Sequence, residues 1–498
     1  MRLIGAALLV VALGGAAWAA DQTQSGEKFT RNQVSAETGL PEVVDPLKGV
    51  GVKWKAKLGS ETYAIPTVAE GRVLIGANNA NPRDPRHTGD RGILYCFDEK
   101  TGDFVWQLVS PKIEGDNYKD WPNIGITSCP TVEKGKVYTA TNRAEVVCLD
   151  LLGMANGNDG PFKDESKHQM PSNKPVVEVG PKDADIIWLT DLVATMGIYQ
   201  HDTTNISPLV VGDFIYINSC NGVDMTHKKI RKPDAPSLVV LEKKTGRVVA
   251  KDVEHMGPQV IHATWSSPAI GDVNGKQMVF FGGGNGILYG FEPLKAMPAE
   301  GTVVDLKSVW KYDPDPTGPK EESVDHKYTS NRETSQSNIL TNPVLFDHRV
   351  FLTAGGDFWW GKRKAWLKCI DPAKEGNPTE TATVWSHEMH GCLSTPAVTK
   401  EITVVCDPIM RTIECLDTTD GKLLWSHKTK GDTWGSALIA DGKIYVGTMQ
   451  SEFFVFAASK EKKLLCETKF DAPIGNNIVA ANGVIYVTTH KTIWALAK

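Results

Sequence analysis

The sequence lacks most of the local signatures that name a chemistry. Its nine cysteines include no adjacent pair, no C-x-x-C-H and no C-x-x-C, which excludes a covalently attached haem and a paired-thiolate zinc site. Positive charge is not in excess: 54 Lys and Arg against 59 Asp and Glu leave a formal net charge of −5, and a nucleic-acid partner is not expected. Beyond the N-terminus no run approaches the roughly 18 apolar residues of a membrane-spanning helix. The one long apolar run, Leu3 to Leu13, follows Arg2 and ends in Ala17-Trp18-Ala19. That order reads as a secretory signal peptide over residues 1–19. No cysteine follows it to carry a lipid anchor, so the expected location is periplasmic or secreted.

What is present is repetition. The stretches "GILYCFDEKTGDFVWQL" (92–108), "SLVVLEKKTGRVVAKDV" (237–253) and "TIECLDTTDGKLLWSHK" (412–428) each read as an alternating strand, an acidic residue, a T-G or D-G turn and a second strand. Glycine provides the positive φ of a tight two-strand turn. A further strand pair turning on glycine lies upstream, as in "PTVAEGRVLIGAN" (66–78) and "ALIADGKIYVGTM" (437–449). The unit is four antiparallel strands. First strands begin near Pro66, Pro130, Pro208, Pro268, Pro343, Pro396, Ala437 and Ile478, at the spacing of propeller blades. The eighth unit stops after three strands. Its fourth is available in "GVKWKAKLG" (51–59), which matches the "KLLWSHKTKG" spacing of residues 422–431. The fold predicted is all-β, an eight-bladed β-propeller closed by an N-terminal strand, which removes two exposed sheet edges.

Within the repeat, Cys96, Cys148, Cys369 and Cys415 share a slot that elsewhere holds Val240, Gly290 or Ala495. A slot tolerant of these residues is a tight apolar packing position. The organisation is therefore a leader (1–19), a polar lead-in (20–50) and a propeller (51–498). A Gly-, Asn- and Pro-rich insertion at 151–175 reads as a surface loop. Its "NGNDG" (156–160) offers oxygens to calcium without completing an EF-hand loop.

The hairpin pattern A/C-x-D-x-x-T/D-G-x-x-x-W resembles the repeat of quinoprotein dehydrogenases and of their non-enzymatic relatives, including the propeller lipoprotein of outer-membrane assembly. In the dehydrogenases, pyrroloquinoline quinone and calcium lie on the ring axis. The resemblance of "ATWSSPAIGD…VFFGGGN" implies Trp265 as the floor under a quinone and Asn285 as a calcium ligand. That of "NSCNGVD" (218–224) implies Asp224 as the acidic ligand. Two departures stand against an enzyme: the adjacent-cysteine cap is absent, and residues 310–343, including Asp313, do not match the segment that carries the catalytic aspartate.

The segments leading into the inner strands line one mouth of a propeller channel, and here they are rich in His, Asn, Thr and Trp. His201, His262 and His390 suit a metal such as copper or zinc, with Met196, Met256 and Met389 nearby as soft ligands or as packing. Trp265 and Trp434 offer flat faces, and Asn205, Asn338, Asn476 and Asn477 offer donors and acceptors to a planar ligand. A wet, unliganded channel is the competing reading. In "GGDFWWGKR" (355–363), Phe358, Trp359 and Trp360 beside Lys362 and Arg363 read as a partner or sugar contact. The function expected is an exported ligand-binding or protein-interaction propeller, with a small molecule or an envelope protein as partner. The alternative is a quinone- and calcium-dependent oxidoreductase acting on an alcohol or sugar.

Overall fold

A computed structural model describes residues 20–320, 335–356, 358–359 and 362–498. Residues 1–19, on which the signal-peptide reading falls, Trp360 and part of the 310–343 stretch lie outside them. Eight sheets of four core strands follow one another round a ring. Their inner strands are Thr67–Ala69, Thr131–Glu133, Leu209–Val211, Ala269–Val273, Val344–Phe346, Ala397–Val398, Leu438–Ala440 and Val479–Ala481, each where the repeat places it. The first blade completes itself with Arg72–Asn78, Arg91–Asp98 and Phe104–Pro111. In the eighth, the outermost strand is Val52–Lys57, antiparallel to Thr492–Leu496 with Trp54 opposite Ala495. The N-terminal strand closes the ring. No helix among the described residues is long and apolar enough to cross a membrane.

The core is divided into eight apolar clusters, each shared by two neighbouring blades, such as Leu74, Leu94 and Leu108 against Val137, Val147 and Leu149. Burial on both faces of every sheet explains strands such as Glu145–Asp150, in which every residue is buried. All nine cysteines are buried and free. The four at the repeated slot face tryptophan or pack beside it: Cys96 pairs with Trp106, Cys148 with Trp188, Cys369 with Trp385 and Cys415 with Trp425. A small side chain is needed there because the indole opposite fills the space.

Indoles at that position tie six of the eight blades to the next. Trp54 Nε1 donates to Glu99 O, Trp106 to Leu151 O, Trp188 to Lys243 O, Trp310 to Lys374 O, Trp385 to Thr418 O and Trp425 to Ser459 O. Each acceptor lies just beyond the third strand of the following blade. The third and seventh blades carry Ala250 and Cys466 at the tryptophan position.

The lead-in is more than a polar tail. An inner strand exposes one unpaired edge to the channel, and residues 22–33 cross the channel to accept from it. Gln22 O takes the Val68 amide, Thr23 O that of Val132, Phe29 O that of Ile270, Thr30 O that of Leu345 and Gln33 O that of Ile439. The Asn32 side chain pairs with both the amide and the carbonyl of Val398. All six amides belong to the second residue of an inner strand. Arg31, fully buried, donates to Ser25 O, Ser207 O and Pro268 O. The chain thus plugs its own ring before running outward to the closing strand.

Candidate functional site

Above the plug, the lead-ins of all eight blades enclose a cavity of ≈ 480 Å³ with Ser25 of the plug in its lining. Its walls carry Tyr63, Tyr118, Trp121, Trp265, Trp359 and Trp434, two carboxylates, Glu61 and Asp202, and no Lys or Arg among the described residues. The rings pack edge to face. Trp359 lies 6.0 Å from Trp265 and 5.5 Å from Trp434 between ring centroids, and Trp434 stacks with Tyr63 at 5.8 Å. Such packing holds indole faces rigid. Trp265 Nε1, Trp434 Nε1 and Asn476 Oδ1 are buried polar atoms with no protein hydrogen-bond partner, which marks a place built for something other than protein.

One wall is a cluster of imidazoles. His201 comes from the lead-in to the third blade, His262 from the lead-in to the fourth, and His227 from the loop between Phe214–Asn218 and Leu238–Glu242. This loop is inserted between the two lead-ins: the Gly222 amide donates to Tyr199 O and the Val223 amide to His262 O. Gly222 is required by close approach, since a Cβ there would sit 2.7 Å from His201 Cβ and 2.6 Å from His262 O. A small cluster of Val223, Ile230 and Val260 anchors the loop. Asp202 and His227 adopt left-handed φ of 60° and 53°, strained for such residues and held by their surroundings.

The ring centroids of His201 lie 4.7 Å from those of His227 and 4.9 Å from those of His262. Asp202 sits beside them, 3.5 Å from His201 Nε2 and 3.7 Å from His262 Nε2. Burial drives the His201 pKa down to about 3, so its ring is neutral at physiological pH. Its Nδ1 lies 2.7 Å from Val223 O and carries the proton. The lone pair is therefore on Nε2, which has no hydrogen-bond partner.

Of the residues singled out from sequence, His262, Trp265, Trp434, Asn205, Asn476 and Asn477 line the cavity, with His201 buried directly behind. His390 does not join them. It belongs to the sixth blade, distant round the ring from the third and fourth, and its ring pairs with Asp407 at 3.0 Å. Asn285 lies outside the lining, its amide donating to Gln259 Oε1 and Tyr289 Oη. Asp224 is engaged by Arg231 at 2.7 Å and by Thr226, where it braces the turn that presents His227. Met196, Met256 and Met389 pack in blade interfaces, so the soft-ligand reading of these three fails. The loop aromatic Trp359 turns in over the cavity beside His262. His227 was missed from sequence because it is in no lead-in; the unusual length of its loop was the available signal.

Pyrroloquinoline quinone is a tricarboxylate. The described wall offers it two carboxylates and no cationic side chain, and the implied calcium ligands Asn285 and Asp224 stand off the cavity. These residues do not fit that group.

The family model described as outer membrane protein assembly factor BamB matches residues 409–498, which span the two outer strands of the sixth blade, all four core strands of the seventh and the three C-terminal strands of the eighth. No curated protein matches the chain. Among solved structures, BamB from Moraxella catarrhalis is similar with a TM-score of 0.50 at 11% identity, over 89% of this chain and 99% of that one. The computationally designed Ika8 protein gives 0.51 at 9%, over 94% and 99%. A europium-containing methanol dehydrogenase gives 0.48 at 10%, over 96% and 98%. Identities this low speak for the fold alone. With its repeats and its closed ring, the chain is an eight-bladed β-propeller whose C-terminal blades match the BamB family model.

Proposed function

We propose that this propeller is an exported binding module that takes a small, flat, uncharged or cationic molecule in its axial cavity. The observation that carries the reading is the wall itself: six aromatic side chains and two carboxylates with no described Lys or Arg. Aromatic faces attract cations and apolar ring faces, and carboxylates repel anions. The orphaned indole N–H groups and Asn476 Oδ1 supply the polar contacts that would fix orientation. Export rests on the leader-like residues 1–19. A protein partner seated at the mouth is the variant of this reading that the likeness to BamB motivates.

Intrinsic tryptophan fluorescence tests it, with choline, methyl glucoside and pyrroloquinoline quinone with calcium as probes. Choline or the glucoside should quench saturably and lose at least tenfold in affinity in Trp434→Ala, while the quinone should not bind. Saturable quinone binding with reduction of an artificial electron acceptor would overturn the reading in favour of the oxidoreductase. No saturable response to any probe would leave the cavity without a small ligand.

A further inference from the structure

The geometry points to a divalent first-row transition-metal site, of the zinc and copper class, formed by His201, His227 and His262 with the carboxylate of Asp202. The inference rests on the cavity being the functional centre, since His227, His262 and Asp202 line it.

Four observations converge. One ligand atom from each imidazole lies within 4.8 Å of the others, and all three residues are buried. A tetrahedral ion with nitrogen at about 2.1 Å holds such atoms about 3.4 Å apart, a distance that small side-chain rotations reach. The Nε2 lone pair of His201, fully buried, faces an oxygen of Asp202 at 3.5 Å with no hydrogen bond to it or to any other group. Two electron-rich atoms so placed call for a cation. The other ring nitrogen of His201 is held by Val223 O, the outer-shell contact that fixes a metal-binding imidazole. Asp202, finally, has no Lys or Arg partner among the described residues. The two other acidic clusters differ here: Arg86 occupies Asp84 and Lys136 occupies Asp150. Three imidazoles and a carboxylate suit Zn²⁺ or Cu²⁺.

The test uses the full protein stripped with chelator and titrated with Co²⁺ as a visible-absorption probe, then with Zn²⁺ and Cu²⁺ by calorimetry. One equivalent of Co²⁺ should bind with d–d bands of a nitrogen-rich, low-coordinate site, and Zn²⁺ should displace it. His227→Gln and His262→Gln should each weaken Zn²⁺ more than 100-fold with unchanged circular dichroism, while His390→Gln should bind as the parent does. Failure of the parent protein to bind any of the three ions would overturn the site, as would stoichiometric binding that survives His227→Gln. Fluorescence titration of the metal-free protein keeps the two readings apart: choline or glucoside binding there, without ion binding, leaves the module and removes the metal.

Discussion

Arg31 is the residue on which the plug turns. A guanidinium buried among backbone carbonyls, with no carboxylate beside it, is costly unless its donors are used. Here three carbonyls, Ser25 O, Ser207 O and Pro268 O, accept from it. Burial lowers its pKa only to about 10, so it stays charged at neutral pH. Arg31→Met should cost about 3 kcal/mol or more, because three buried carbonyls lose their partner. Arg31→Lys should recover little of it, since an ammonium cannot span the fork. Urea midpoints check both. Asp185 carries the opposite strain. Burial, aided by Glu165, Asp150 and Asp159, raises its pKa to about 6. A carboxyl raised in the folded state binds more protons there than in the unfolded chain, so its contribution is favourable at low pH and is lost as pH rises from about 4 through 6. Asp185→Asn should therefore stabilise the protein above pH 6, by roughly 1 kcal/mol once solvent screening is allowed for, and change little at pH 4. Melting curves at the two pH values measure the difference.

At the scale of the element, the T-G and D-G hairpins serve two purposes, of which sequence shows one. The positive φ of Gly102, Gly246 and Gly421 was readable from the turn. Their second role was not: a Cβ at Gly246 would stand 2.4 Å from the Trp188 ring, and one at Gly421 the same distance from Trp385. The turn of one blade is the floor on which the previous blade's indole lies. Gly246→Ala should therefore cost more than the 1–3 kcal/mol of a left-handed alanine alone, through displacement of Trp188 and its bond to Lys243 O. Gly301, equally left-handed but with nothing within 4 Å, is the control, and its alanine variant should show the backbone cost only. Thermal unfolding separates them. The same contrast explains what was legible in the site. The lead-ins could be found because proline marks the start of six inner strands and the repeat itself marks the other two, so His201, His262, Trp265 and Trp434 were in view. The position of His227 depends on how the 219–237 loop docks between two lead-ins. His390, on the non-adjacent sixth blade, could join the others only across a narrow channel, and blade order does not give the width of the channel.

For the whole molecule, two N-terminal segments hold the ring by different means. Strand Val52–Lys57 was visible in sequence because it carries the repeat's own Trp54. The plug was not, because most of its partners are backbone amides, which any sequence can satisfy; Arg31, Asn32 and Gln33 add side-chain bonds to the ring. Their removal should fail differently. A chain without residues 20–35 keeps the pairing of Trp54 with Ala495 and the indole bond from Trp54 to Glu99 O. It should fold as a monomeric ring with its inner amides open to water, a lower melting temperature and a channel open at both mouths. A chain without residues 20–57 also loses the outer strand of the eighth blade. Thr492–Leu496, whose five residues are all buried, becomes an open, apolar edge, the condition for edge-to-edge association. That chain should be recovered as oligomers or aggregate in size-exclusion chromatography. A monomeric, cooperatively melting product from the longer truncation would show that the ring is held by its blade interfaces and not by closure.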